Sequence, residues 1–204
     1  MAEQISASPP FGRGETAGVS AVTDLVNLEG MEFTFQDINW TSSDSTKPRR
    51  TSKQVVCRCV RNVSGIALLG ARLAVYSTTS GTYGNRVDGY GSTTAQKIAG
   101  VVDEFLPSGG VADKDLFWIA VEGPSSCLTN IASLGANNIA VGGPVVALTA
   151  ATSQATTAGR IEIQDLSGAT APLTNQVQNL LGGSQEAATT GQTNARIIVE
   201  LRRW

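Results

Sequence analysis

Between Lys53 and the C-terminus, short runs of apolar and β-branched residues recur, each cut off within a few positions by Gly, Asn, Ser or Pro. Residues 54–61, 71–77, 97–102, 116–121, 140–148, 160–164 and 195–201 are all of this kind. A strand needs only about four to eight residues of such text, whereas a helix needs about ten or more with a 3.6-residue period. With the alternating stretch Met31-Glu32-Phe33-Thr34-Phe35, about eight short strands are expected, which points to a β-barrel or β-sandwich. Arg160-Ile161-Glu162-Ile163-Gln164 alternates cleanly, so Ile161 and Ile163 should face the core. The run 195–201 is more continuously apolar and should be covered on both faces. Pro144 marks an edge or a bulge in its run. Ser80–Asn85, Asp88–Gly91, Thr149–Gly159 and Ser184–Gly191 read as loops.

One helix is predicted against this background. Pro172 suits a first helical turn, Leu173, Val177, Leu180 and Leu181 share a face, and Gly182-Gly183 would close it. Residues 1–52 differ from the rest. Ser8-Pro9-Pro10-Phe11-Gly12-Arg13-Gly14 is extended-chain text, and Val19, Val22, Leu25, Val26 and Leu28 form a short helical pattern ending at Gly30. The expected organisation is an N-terminal arm over 1–52, ordered by lying on a neighbouring subunit, and a β-domain over 53–204.

Several function classes are excluded or disfavoured by composition. The chain has 204 residues and no histidine, which removes Ser-His-Asp and Cys-His catalysis and histidine-ligated zinc. Fifteen basic and seventeen acidic side chains give a formal charge of −2, without the basic surplus of a nucleic-acid binder. The N-terminus has an acid, Glu3, where a signal peptide needs basic residues, and no run is long enough to span a bilayer, so a soluble protein made in a cytoplasm is expected. Cys57 and Cys59 lie two apart and share one face of a strand, where they should pack as small hydrophobes; Cys127 is a nucleophile only with an unusual base.

The remaining kits are incomplete. Gly12-Arg13-Gly14-Glu15-Thr16-Ala17-Gly18 departs from the dinucleotide spacing and follows no strand. None of Lys47, Lys53, Lys97 and Lys114 stands three residues after a serine. Asp103, Glu104, Asp113 and Asp115 cluster around the loop 106–110; a carboxylate pair or a calcium site is one reading, and solvated hairpin charges the plainer one. No cofactor, no metal and no enzymatic activity is expected.

Residues Lys97-Ile98-Ala99-Gly100-Val101-Val102-Asp103-Glu104-Phe105 and Asp115-Leu116-Phe117-Trp118-Ile119-Ala120-Val121-Glu122-Gly123-Pro124 are the most distinctive text. They resemble the head decoration, or cement, proteins of tailed bacteriophages over roughly residues 53–150. The resemblance implies a virion structural protein on the capsid exterior, a homotrimer that clamps neighbouring copies of the major capsid protein. It implies no nucleic-acid or membrane partner. Aromatics dominate interface hot spots, which makes Phe11, Phe33, Phe35, Trp40 and Trp204 candidate capsid or subunit anchors, with Arg49 and Arg50 as charged partners. Trp118 is expected in the core. The alternative is a carbohydrate- or surface-binding β-module, against which the 5% aromatic content counts.

Overall fold

The structure is a computed structural model of the 204-residue chain, described here over residues 9–18, 28–39, 49–79, 81, 84–91, 98–129, 138–147, 158–163, 180–188 and 195–202. The described residues form ten strands: β1 (Glu32–Ile38), β2 (Arg49–Asn62), β3 (Leu73–Tyr76), β4 (Arg86–Tyr90), β5 (Ile98–Val102), β6 (Leu116–Leu128), β7 (Pro144–Ala147), β8 (Ile161–Ile163), β9 (Leu180–Ser184) and β10 (Arg196–Leu201). They join in the order β1-β2-β4-β3-β5-β6-β10-β9-β7-β8, and β2 also pairs with β6. The chain is therefore mainly β, as expected.

The extra pairing closes a circuit of five strands, β2-β4-β3-β5-β6. Four of its seams are antiparallel; the fifth, β2 with β4, is parallel and only two residue pairs long, Arg61 with Arg86 and Asn62 with Val87. The other strands extend the sheet away from this ring, so the whole is not a simple closed barrel. Both faces of β6 are buried, one inside the ring and one against the strands outside it. Phe117, Ile119 and Val121 join Val60, Ala74, Tyr76, Val87, Tyr90, Ala99 and Val102, a set to which all five ring strands contribute and which therefore fills the ring. Leu116, Trp118 and Ala120, pointing the other way, join Cys57, Cys59, Leu73 and Val101 with residues of β1, β7, β9 and β10. Two buried faces explain why 116–121 reads as one continuous apolar run rather than an alternation.

Strand β6 runs seven residues past the stretch 116–121 recognised from sequence, through Gly123-Pro124. Up to Glu122 it pairs with β2, and from Gly123 it pairs with β10. The change of partner is made at Gly123, whose φ is +89° and where a Cβ would collide with the carbonyl oxygen of Gln54. Only glycine allows both the turn of the backbone and that approach.

Other expectations are corrected. The helix from Pro172 lies outside the described residues as far as 179, but where its last turn and cap should fall, Leu180-Leu181-Gly182-Gly183 is strand β9. Leu181 is buried, and Gly182 lies so close to the carbonyl of Glu200 that no side chain would fit there. Pairing with β7 and β10 thus overrides the local helical spacing. Asp88–Tyr90, read as loop, is part of β4, and Ser184 and Ala188 are buried rather than exposed. In β10, Ile197, Val199 and Leu201 are buried while Ile198 and Glu200 are half-buried, so one face is covered more than the other. Pro144 opens β7, and the register shifts between Val145 and Val146, as its position suggested.

The boundary between 52 and 53 falls inside β2, and the described parts of residues 1–52 belong to the same fold. Strand β1 pairs with β2 from Glu32 opposite Arg58 to Gln36 opposite Gln54. Upstream, Ala17 exchanges backbone hydrogen bonds with Leu116 at 3.0 Å each. The helical pattern at 19–27 lies outside the described residues; Leu28–Gly30 is a turn that hands the chain to β1, with the Gly30 N–H donating to the Cys59 carbonyl at 2.7 Å.

Candidate functional site

Two features meet on the side of β2 and β6 that faces away from the ring: an aromatic box and a buried charge network. Trp118 projects from β6, has no exposed surface, and is contacted by three phenylalanine rings. Phe11 lies at 4.9 Å between centroids, Phe35 at 5.2 Å and Phe33 at 5.4 Å, the last two edge-on. The indole N–H donates to the Phe11 carbonyl at 3.1 Å, which satisfies its one polar atom. The period-2 pattern of β1 puts Phe33 and Phe35 on one face, and residues 9–18 form a strap that brings Phe11 across the indole.

Two residues beyond Phe11, the strap buries Arg13. Its Nη2 donates to Asp103 Oδ1 at 3.2 Å and lies 3.7 Å from Glu104, with no side-chain exposure. Asp103 also accepts from the backbone N–H of Gly14 at 2.6 Å and of Phe105 at 3.2 Å. On the other side, Arg50 reaches Glu104 through two nitrogens, at 2.6 and 3.0 Å, and reaches Asp37 through Nε at 3.0 Å and Nη2 at 2.5 Å. Thr51 donates to the second oxygen of Asp37 at 2.7 Å, and the Ser126 N–H to Glu104 at 3.1 Å. The guanidinium carbons of Arg13 and Arg50 lie 4.8 and 5.1 Å from the ring centroid of Phe105.

Burial shapes the chemistry of this network. Desolvation works against the Arg13 cation, but Cys57 together with the carboxylates of Asp103, Glu104 and Asp37 outweighs it and holds the guanidinium more firmly protonated than in water. Desolvation pushes the Asp103 carboxyl above its ordinary value; Arg13 and the two backbone donors oppose this without cancelling it. Among the described residues Arg13 Nε and Nη1 have no hydrogen-bond partner. Each acid thus has an arginine or backbone donor in the place where a metal ion would need open ligands. Among the described residues no group of three or more His, Cys, Asp or Glu is placed to hold a metal.

The sequence candidates separate accordingly. Phe11, Phe33 and Phe35 are brought together, but around Trp118 of their own chain: Phe35 is buried and the other two are half-buried. Within this chain the three rings pack on the indole, and Phe11 and Phe33 keep part of their surface exposed. Arg50 is committed to Asp37 and Glu104, while Arg49 beside it is exposed. Trp40 and Trp204 lie outside the described residues. Asp103 and Glu104, read as solvated hairpin charges, are buried, a correction that follows from the Arg13 and Arg50 cations that compensate them. Arg13 and Asp37 were missed altogether. Nothing local marks them, although Asp37 follows the Phe33/Phe35 alternation onto the buried face.

The cysteines are internal. Cys57 and Cys59 join the Trp118 side of the core, and desolvation pushes each thiol up to about 12. Cys127 is also buried and shifted upward by desolvation, with Ser125 O its sulfur's hydrogen-bond partner. None carries the thiolate that nucleophilic chemistry needs near neutral pH. Among the described residues an open cleft of about 810 Å³ lies where β10 ends beside β2, with Lys53 and Glu200 paired at 2.9 Å within it. Among the described residues no helix is long and apolar enough to cross a membrane. No family model and no characterised protein matches the chain.

Proposed function

We propose that this protein is a virion structural protein, a capsid decoration protein that binds the outer surface of a mature phage head and clamps neighbouring capsid subunits without chemistry. The observation that carries the reading is where the resembling text falls. Residues 97–124 supply β5, the turn that holds Asp103 and Glu104, and the first half of β6, so the resemblance coincides with the structural centre of the fold. A clamp of this kind works by buried area and shape, and repeated weak contacts on a symmetric lattice gain avidity from effective concentration. The major capsid protein is its partner, the protein acts as a homotrimer once it is on the shell, without cofactor or catalysis, and its place is the virion exterior after synthesis in the bacterial cytoplasm.

The second reading, a glycan- or surface-binding module, draws on the polar cleft beside Lys53 and Glu200. It is disfavoured because the described tryptophan and tyrosines (Trp118, Tyr76, Tyr90) are buried and unavailable as sugar platforms. Co-sedimentation with expanded phage heads stripped of accessory proteins separates the two. Saturable binding of the full chain in a fixed ratio to capsid subunits is expected. No binding to heads, together with saturable binding on a glycan array, would replace the first reading with the second. Deleting residues 1–52 is not a suitable control, because it removes β1, the start of β2 and the strap. Deleting residues 2–8 leaves all of these in place.

A further inference from the structure

Strand β1 is the first strand of the sheet, and its outer edge has a self-complementary pattern. The Met31 carbonyl accepts from Cys59 N–H of β2 at 2.9 Å. Backbone groups alternate in direction along a strand, so those of Phe33 and Phe35 also point to β2, and those of Thr34 and Gln36 point away from it. The side chains of Thr34 and Gln36 are exposed, and among the described residues β2 is the only strand paired with either. Natural edges are usually blunted by Lys, by Pro or by a bulge in mid-strand. Here the central positions are neutral, no proline occurs in β1, and the register shift comes only after Gln36.

We propose that this edge pairs with the same edge of a second copy, antiparallel about a two-fold axis at Phe35. Thr34 of one chain then lies opposite Gln36 of the other, and the two residues exchange both backbone hydrogen bonds; the symmetry repeats the exchange, giving four. The charge pattern permits it: the pairs 35–35 and 34–36 are neutral, Asp37 falls opposite Phe33 with its charge held by Arg50 and Thr51 of its own chain, Glu32 falls opposite Ile38, and Glu32 is already neutralised by Arg58 at 2.5 Å within its own chain. An isologous contact of this kind closes after two subunits. The proposal goes beyond the shell reading, since it concerns the free protein and holds or fails without a capsid.

Sedimentation equilibrium of the full chain, up to about 1 mM so that a weak dimer is populated, is the test. The wild type is expected to form a dimer. Thr34→Lys/Gln36→Lys sets lysine against lysine at both symmetric positions and should weaken the dimer by roughly tenfold or more, with an unchanged thermal melt. Thr34→Glu/Gln36→Glu should do the same alone, and an equimolar mixture of the two variants should regain a one-to-one complex. Thr34→Pro removes only an outward N–H, which an edge strand tolerates, and should also give monomers. A wild type that stays monomeric at about 1 mM would overturn the proposal, as would a dimer or trimer indifferent to all three variants. The last result would leave the capsid reading standing, because it is tested separately on heads.

Discussion

The two sides of β6 are built on different principles. Inside the ring, Phe117, Ile119 and Val121 meet apolar side chains drawn almost entirely from residues 60–121, and charged groups meet this cluster at its tyrosines, where Arg58 and Arg72 lie 5.7 and 5.1 Å from the ring centroids of Tyr76 and Tyr90. On the opposite side, Trp118 meets phenylalanines from the strap and β1, and beside it lie five charged groups from residues 13, 37, 50, 103 and 104. The first side needs only hydrophobic residues of about the right size at the right alternation. The second needs three distant segments to arrive with matched charge, because a lone buried ion is costly. Bulk burial therefore closes the ring, and electrostatic matching fixes how the N-terminal segments sit upon it.

The largest effect is expected at the indole. Trp118→Ala should destabilise the fold by about 3–5 kcal/mol in urea unfolding, towards the upper end because three rings lose their common partner. Phe117→Ala, one position along the same strand, should cost a comparable amount by leaving a cavity in the ring. The two differ in where the damage appears. Hydrogen exchange at residues 11–17 and 32–37 should accelerate in the Trp118 variant well below global unfolding, and much less in the Phe117 variant. Equal exchange in both would mean that the strap and β1 are not held by the indole.

Next come the charges. Arg13→Met leaves Asp103 and Glu104 buried with less compensation and should cost about 3–5 kcal/mol. Asp103→Leu alone strands Arg13 and should cost about as much. The double variant, which removes both ions, should recover most of the loss, within about 1–2 kcal/mol of wild type. Paired substitutions far apart inside the ring should instead add. Additivity at Arg13 and Asp103 would mean that the pair is not coupled, and the contrast between the two sides would collapse.

How legible this was from sequence follows the same division. The strands whose side chains alternate, or whose two faces are both covered, stood out: 54–61 and 116–121 lie in β2 and β6, and 71–77 and 97–102 contain β3 and β5. Their signal is local. The closure of the ring by Arg61-Asn62 against Arg86-Val87 was not visible, because Arg86–Tyr90 contains Asp88 and Gly89 and reads as a loop until β2 and β3 hold it. The Leu180–Ser184 strand was misread because Leu180 and Leu181 fit a helical period as well as a strand, and only the approach of Gly182 to β10 decides between them. The charge network was the least legible. Arg13 lies in glycine-rich text and Asp103 beside a turn, and their pairing spans 90 residues. Phe11, Phe33 and Phe35 stood out as aromatics that need a partner surface, but a sequence cannot say whether Phe11 finds its pocket on its own chain.

A smaller effect should appear in the pH dependence. The folded-state pKa of Asp103 is raised above 3.8 by burial. The folded protein therefore holds this proton more tightly than the unfolded chain does. The associated stability is fully present below about 3.8 and is lost as pH rises through the raised value. Asp103→Asn cannot titrate, so the stability difference, wild type minus variant, should fall as pH rises through that window and level off above it. A difference that instead grows with pH would show that Arg13 and the two backbone donors outweigh desolvation, leaving the carboxyl below its ordinary value.

The smallest effect is expected where charges meet in water rather than in the core. Lys53 and Glu200 pair at 2.9 Å, but their side chains are 52% and 34% exposed. Such a pair gains little Coulomb energy, loses side-chain freedom and is screened by salt. Lys53→Ala should change stability by no more than about 0.5 kcal/mol, and that difference should vanish in about 1 M salt. The cost of Arg13→Met should survive the same salt, since ions do not reach a guanidinium with no exposed surface. If the Lys53 variant lost as much as the Arg13 variant, burial would not be what separates the two kinds of charge, and the division between the faces of β6 would have to be explained by packing alone.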